Sequence, residues 1–190
     1  MEVSFVSVDL SSMLKKFDAG KADAVIGDFP AGGSKNVLYT RPYLKCGQVI
    51  VVNSGSTIQN KNGLVGKAVG VLAGSAAAKV LSRDDIVLKI KDRAPVNYYD
   101  YISAFMDLDA SKLDAIALDE TAGRYYVSQK ETQYRLLGDR FPDSEEYAVA
   151  VRRNDGRLRN QIQDAMNQMT KDGTTAQISK KWFGEDLTIH

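Results

Sequence analysis

Two segments in the middle of the chain carry residue types that suit the binding of a charged ligand. The first, Ala73-Gly74-Ser75-Ala76, follows the apolar segment AVGVL and precedes an alanine-rich segment with helical character. Gly74 permits a tight turn, and the amides of Ser75 and Ala76 at a helix N-terminus can point at an anion. The alternative is that Ser75 only caps the helix. The sequence therefore predicts an anion-binding turn at residues 74–76.

The second segment ends in a carboxylate. Asp119 closes the apolar segment DAIALD, immediately before a predicted helix. Open α/β sheets bind ligands at the carboxyl ends of their strands, which makes Asp119 a candidate for a ligand cation. Its alternative role is that of a helix N-cap, and the two roles are compatible. Asp28 and Phe29 follow the corresponding segment DAVIG and are further candidates.

The chain has few of the residues that usually form catalytic or metal-binding sites. The chain has one histidine, His190 at its last position, and one cysteine, Cys46. This argues against a Ser-His-Asp triad and a histidine-based metal site, and it excludes an internal disulfide. Glu120 beside Asp119 is the one candidate general acid, although it can equally stabilise the first turn of a helix through the helix dipole. We therefore predict no catalytic residue, metal or cofactor.

Composition points to a folded α/β protein. With 190 residues, 44% hydrophobic and 26% charged, the chain can bury the core of one large domain or two small lobes. Its formal charge of +1 argues against a nucleic-acid partner. No apolar segment approaches the roughly 20 residues of a membrane span, and the start MEVSFVSVDL lacks the regions of a signal peptide. We therefore expect a soluble chain.

Short β-branched segments alternate with segments of helical spacing, which predicts an α/β fold around a mostly parallel sheet. The predicted strands are VSFVSV (residues 3–8), DAVIG, GQVIVV, AVGVL, IVLKI (residues 86–90), DAIALD and EYAVAVR. The predicted helices cover residues 10–17 with a candidate N-cap at Asp9, 76–81, 102–106, 158–169, and a last segment that carries Ile178 and Trp182.

One pattern occurs twice. Residues 21–28 (KADAVIGD) and 112–119 (KLDAIALD) are similar, and a predicted helix precedes each of them. Two related α/β lobes explain this similarity, and so does chance resemblance between two buried strands.

Five segments, in order, carry a more specific signal. They are VDLSSMLKKFDAGKADAVIG, YTRPYLKCGQVIVV, LVGKAVGVLAGSAA, KLDAIALDETAGRYYV and KDGTTAQISKKWFGED. From Val3 to Asp186 this order resembles the bacterial extracellular solute-binding proteins of family 3, which bind polar amino acids.

The resemblance implies a type II periplasmic-binding-protein-like fold, in which two lobes joined by two hinge strands close on a ligand. Lobe one would comprise residues 1–52 and 145–190, with Trp182 as a packing anchor, and lobe two residues 53–144. The family's aspartate that binds the ligand ammonium matches Asp119. The predicted ligand-binding residues are Asp119, Gly74, Ser75, Ala76, Asp28 and Phe29.

The chain departs from the family pattern in two places. Between DAVIG and YTRPY the family usually has an arginine that binds the ligand carboxylate, whereas this chain has FPAGGSKN, whose Lys35 lacks the bidentate geometry of arginine. Family members also begin with a strand, a loop and a helix before the segment that matches VSFVSV. We expect lobe one to compensate by rearranging its sheet or by forming a homodimer through segment exchange.

The resemblance implies a non-catalytic amino-acid-binding component of an ABC importer, which works with a membrane permease outside the cytoplasm. One alternative is a ligand-free fragment that self-associates. A second is a dehydratase-like enzyme on the same fold, with Glu120 as its acid.

Overall fold

A computed structural model of the chain describes residues 3–6, 10–27 and 37–189. The strands are β1 (Ala24–Val25), β2 (Val37–Tyr39), β3 (Leu44–Asn53), β4 (Val69–Leu72), β5 (Val96–Tyr98), β6 (Ala115–Asp119), β7 (Tyr134–Tyr147) and β8 (Ala150–Arg152). The helices are α1 (Leu10–Asp18), α2 (Ala76–Arg83), α3 (Tyr101–Asp109), α4 (Glu120–Gln129), α5 (Gly156–Lys171) and α6 (Thr174–Phe183). The predicted cap Asp9, the candidates Asp28 and Phe29, and Lys35 and His190 lie outside the described residues.

The chain divides into two compact units, and each contains one sheet. The first unit comprises residues 1–45, 145–177 and 188–190, and the second comprises residues 46–144 and 178–187. In the first unit, β8 lies between β1 and β2 and is antiparallel to both. In the second unit the strand order is β5-β4-β6-β3-β7, with β4 parallel to β5 and β6 and with β3 antiparallel to β6.

Helices cover both faces of the sheet in the second unit. On one face, Ile50 and Ala117 pack in a buried cluster with Val80 and Leu81 of α2. On the other face, Val49 and its neighbours pack against α3 and α4 in a second cluster. Alternate residues of β3 and β6 therefore enter different cores, as the two-residue period of a strand requires.

The first unit has a smaller core. Phe17 of α1, Val25 of β1 and Val37 of β2 pack with Ala150 of β8, and Met13 lies at the margin of this cluster. Among the described residues, none of the helices combines the length and the apolar character needed to cross a membrane.

The predicted α/β fold is confirmed, but two predicted strands are wrong. Val3–Val6 forms no strand, and Phe5 is 88% exposed. The segment IVLKI is not a strand either, because Asp85–Leu88 forms a 3-10 helix. Its isoleucines, Ile86 and Ile90, are buried four residues apart, and the Asp84 carboxylate caps the helix by accepting from the Ile86 amide. The edge strand in this region is instead β5, which the sequence analysis did not predict.

The division into units also differs from the predicted lobes in two segments. Residues 46–52 group with the second unit, because β3 pairs with β6. Residues 178–187 group with the second unit as well, and Trp182 lies beside Tyr125 of α4, with 6.2 Å between the ring centroids. Trp182 thus packs against the second unit, whereas the predicted boundaries assign its segment to lobe one.

Gly70 in β4 lies where a side chain has no room. A Cβ atom at this position would lie 2.6 Å from Leu113 Cδ1 and 3.2 Å from Tyr98 Cε2. We expect Gly70→Ala to lower the free energy of unfolding by about 1–2 kcal/mol, because overpacking displaces these side chains. Gly138→Ala in β7 is the control, since a Cβ there meets no atom within 4 Å. Equal urea midpoints for the two variants would contradict the prediction.

Candidate functional site

Three chain segments meet at the carboxyl ends of β4, β5 and β6. The parallel register places Leu72 beside Tyr98 and Val71 beside Ala117, so all three strands end on the same side of the sheet. Residues 73–76, 99–101 and 119 emerge there, and we call this part of the second unit the carboxyl edge. Open α/β sheets bind ligands at such an edge.

The turn before α2 combines a capping residue with free helical amides. Gly74 adopts a positive φ of 77°, which glycine tolerates. The Ser75 amide donates to the Leu72 carbonyl over 3.1 Å, and the Ser75 hydroxyl accepts from the Ala78 amide over 3.1 Å. Ser75 therefore serves as the N-cap, the alternative role that the sequence allowed.

The capping arrangement changes which amides can meet an anion at this turn. The first amides of a helix lack acceptors within the helix, and Ala76 and Ala77 hold these positions in α2. The Ser75 amide, in contrast, is used within the turn itself. Any anion at this helix end would therefore meet the amides of Ala76 and Ala77.

Asp119 is held by a tyrosine rather than by the helix that follows it. It is 6% exposed, and its Oδ2 atom accepts a hydrogen bond from the Tyr101 hydroxyl over 3.2 Å. Its side chain makes no capping hydrogen bond to α4. The contact with Tyr101 was not predicted, because residue spacing alone does not show that α3 begins beside the end of β6.

Carboxylates anchor the segment that carries Tyr101. Asp100 accepts from the Ser103 amide over 2.7 Å, which caps α3 and lowers the pKa of Asp100. The Tyr98 hydroxyl donates to Asp107 over 2.8 Å, and burial together with this neighbouring carboxylate raises the pKa of Tyr98 to about 12. Hydrogen bonds from Lys112 and Tyr98 lower the pKa of Asp107. Together these contacts fix the start of α3.

Aromatic packing then fixes the ring of Tyr101. Its ring lies edge-on to Tyr126 with 6.3 Å between centroids, and Tyr126 stacks on Phe105 at 4.1 Å. Phe105 in turn packs edge-on against Tyr134, whose hydroxyl donates to Asp109 over 2.5 Å. Burial raises the pKa of both Tyr126 and Tyr134. These tyrosines therefore act as neutral packing residues.

Glu120, next to Asp119, has a different environment. It is 1% exposed, and its Oε1 atom accepts from Arg124 Nε over 2.8 Å and from Arg140 Nη2 over 2.7 Å. Arg124 also pairs with Glu185 over 2.5 Å. A buried carboxylate bound by two guanidinium groups is suited to holding α4 on the sheet.

The structure thus brings the predicted residues Gly74, Ser75, Ala76 and Asp119 to one edge of one sheet. It adds Tyr101, together with Gln48, which lies opposite Asp119 on β3. Among the described residues, no group of three or more His, Cys, Asp and Glu side chains is arranged to hold a metal ion. The candidate site combines the Asp119 carboxylate with polar side chains and the amides at the start of α2.

An α/β sheet with a carboxylate and a helix N-terminus at its carboxyl edge is the architecture of a ligand-binding protein. The chain belongs to the bacterial extracellular solute-binding proteins, family 3, whose family model matches residues 1–185. A similar relative is the L-cystine-binding protein TcyJ of Escherichia coli strain K12, with 29% identity over 192 residues, which cover 99% of this chain and 70% of that protein.

Solved structures with the same architecture include two amino-acid complexes. An ancestral arginine-binding protein bound to glutamine has a TM-score of 0.75 and 31% identity, and the match covers 97% of this chain and 81% of that one. A substrate-binding protein of an ABC uptake transporter from Streptococcus pneumoniae, with bound histidine, has a TM-score of 0.80. At 24% identity, with 100% of this chain and 79% of that one covered, it supports the fold alone.

The cluster around Glu120 predicts a large effect on stability. We expect Glu120→Gln to lower the free energy of unfolding by about 2–3 kcal/mol, because Arg124 and Arg140 lose a buried partner. The matched control is Glu185→Gln, which removes an exposed partner of Arg124 and costs about 0–1 kcal/mol. Urea denaturation measures both, and a Glu120 variant as stable as the Glu185 variant would disprove the structural role.

Proposed function

We propose that this chain is the amino-acid-binding component of an ABC importer and that it captures its ligand without catalysis. The observation that carries the proposal is the placement of the Asp119 carboxylate and the N-terminus of α2 at one edge of one sheet. An α-amino acid has an ammonium and a carboxylate on one carbon atom. A binding site that excludes water must neutralise both groups.

The two charged groups of the ligand find opposite partners at the carboxyl edge. Asp119 is buried and accepts the ammonium, while Tyr101 keeps its carboxylate in place. The amides of Ala76 and Ala77 donate to the ligand carboxylate, and the helix dipole of α2 favours the negative charge there. Gly74 permits the turn that directs these amides. Asp28 and Phe29 remain candidates for additional contacts.

Relatives support a polar amino acid as the ligand class. TcyJ is named for L-cystine, and the ancestral arginine-binding protein has glutamine bound. These ligands share the α-amino acid group and differ in their side chains. The proposal for this chain is therefore an amino acid with a polar side chain.

We infer the transporter partner and the cellular location of this chain from its family. Its members are described as extracellular, and several relatives are named as components of ABC transporters. We infer that this chain acts outside the cytoplasm and delivers its ligand to a membrane permease. The arginine contacts give Glu120, the general acid nominated from the sequence, a structural role, which supports a binding protein over a dehydratase-like enzyme.

The proposal is tested by removing the charge of Asp119. We expect Asp119→Asn to weaken amino-acid binding about 100-fold, because the loss of one partner of a buried charge pair costs roughly 3 kcal/mol. Isothermal titration calorimetry against the twenty amino acids measures the affinity.

Asp114→Asn is the matched control, at the other end of β6. There Asp114 accepts from the Ala68 amide, a contact that asparagine can retain. Binding should therefore be unchanged in this variant. The absence of amino-acid binding by the folded wild-type protein would refute the proposed function.

We also propose self-association through residues 3–6, for which a specific observation exists. Val3, Phe5 and Val6 are 63%, 88% and 67% exposed and belong to no strand. Adjacent exposed apolar residues favour contact with a second copy, and segment exchange is a low-cost route to a homodimer.

Light scattering over a range of concentrations tests this second proposal. We expect the protein to form a dimer, and we expect Phe5→Ser to weaken this dimer about 10- to 100-fold, because burial of the phenylalanine ring stabilises the contact by roughly 1.5–3 kcal/mol. Leu88→Ser, which alters an apolar residue that is 65% exposed in the second unit, should leave the dimer intact. A wild-type protein that is monomeric at every concentration would rule out self-association.

A further inference from the structure

Gln48 is a buried side chain whose polar atoms have no partners. It is 1% exposed, and neither its Nε2 nor its Oε1 atom has a hydrogen bond in the structure. A buried carboxamide without hydrogen bonds costs free energy, so most such groups in folded proteins are satisfied. Its occurrence in the middle of a well-packed sheet requires an explanation.

The chain's other buried glutamine shows the usual arrangement. Gln163 of α5 is 9% exposed, and both ends of its carboxamide are used. Its Oε1 atom accepts from the Arg41 amide over 2.6 Å, and its Nε2 atom donates to Asn167 over 2.9 Å. Missing partners are thus not a general property of buried glutamines in this chain.

The position of Gln48 in the sheet is the second observation. β3 and β6 are antiparallel, with Gln48 directly opposite Asp119. Side chains opposite each other in this way lie on the same face, with Cβ atoms about 4.5–5.5 Å apart. Gln48 is therefore the cross-strand neighbour of Asp119, whose carboxylate our proposed function assigns to the ligand ammonium.

On the face of the sheet that carries Gln48 and Asp119, the neighbouring residues of both strands are apolar. Along β3, Ile50 and Val52 share the face of Gln48, and along β6, Ala117 shares the face of Asp119. These apolar residues pack in the core beneath α2. Gln48 and Asp119 follow these apolar residues at the carboxyl edge, where β6 ends and α2 begins, while β3 itself extends back to Leu44. The apolar core thus gives way to two polar side chains on the side of the sheet where α2 starts.

We propose that Gln48 is a ligand-binding residue that completes the recognition of the α-amino acid group. Its Oε1 atom accepts from the ligand ammonium beside Asp119, and its Nε2 atom donates to the ligand carboxylate. An ammonium has three donors, and a carboxylate such as that of Asp119 does not occupy all of them. One carboxamide serves both groups because they are attached to the same carbon atom. The inference rests on the proposed function and adds a residue to it.

Two consequences separate this role from a structural one. Since the contacted groups are common to all α-amino acids, replacement of Gln48 should lower the affinity for every amino-acid ligand by a similar factor. Since the carboxamide makes no hydrogen bond within the protein, its replacement by an apolar residue of similar shape should not destabilise the fold.

Gln48→Met tests both consequences. We expect calorimetry to show a 10- to 100-fold loss of affinity for each amino acid that the wild-type protein binds, with glutamine, arginine, histidine and cystine as the panel. We expect the urea midpoint of the ligand-free variant to equal or exceed that of the wild type. Gln48→Leu should behave in the same way.

Gln163→Met is the matched control. It should retain the wild-type affinities and unfold at lower urea, because it leaves the Arg41 amide and Asn167 without their partner. Both buried glutamines are thus replaced by the same residue, and opposite results are expected for affinity and for stability.

The remaining outcomes overturn the inference in distinguishable ways. Wild-type affinity in Gln48→Met would overturn it while the proposed function stands. Weaker binding of a single amino acid in Gln48→Met would also overturn the inference and leave the proposed function standing, since it would indicate a contact with the ligand side chain. A fall in ligand-free stability for both the Met and the Leu variant would indicate a structural partner for Gln48. A folded wild type that binds no amino acid would overturn the proposed function and, with it, this inference.

Discussion

Parallel pairing of β4 with β5 and with β6 is the constraint on which the carboxyl edge depends. Because the three strands run in one direction, the turn before α2, the start of α3 and the end of β6 emerge on one side of the sheet. The edge then combines a helix N-terminus with a carboxylate, which are suited to opposite charges. Antiparallel β3 approaches the same edge from the other direction and places Gln48 opposite Asp119.

Two adjacent carboxylates show how neighbouring residues acquire different roles. Glu120 is bound by two arginines, which satisfies its charge within the protein and holds the start of α4. Asp119 accepts a hydrogen bond from the Tyr101 hydroxyl, which orients its carboxylate. The first arrangement stabilises the start of α4, and the second orients a carboxylate at the edge where the ligand ammonium is proposed to bind.

Much of the fold was predictable from local patterns, and its exceptions have physical causes. Helices α1, α2, α3 and α5 follow from apolar residues at helical spacing, and β3, β4 and β6 follow from continuous apolar segments. The segment at Val3–Val6 has the composition of a strand, but a strand also needs a neighbour for its backbone groups. The segment at Ile86–Ile90 has an apolar run that tertiary packing uses as a helical turn.

The sequence alone determined the α/β class, the family resemblance and the candidates Gly74, Ser75, Ala76 and Asp119, because each of these depends on residue types and short spacing. Only the tertiary structure decided which amides remain available at the turn before α2, because that depends on the hydrogen bonds of Ser75. It also decided the roles of Tyr101 and Gln48, since their proximity to Asp119 results from strand order and register. Such long-range pairing leaves no local trace in a single sequence.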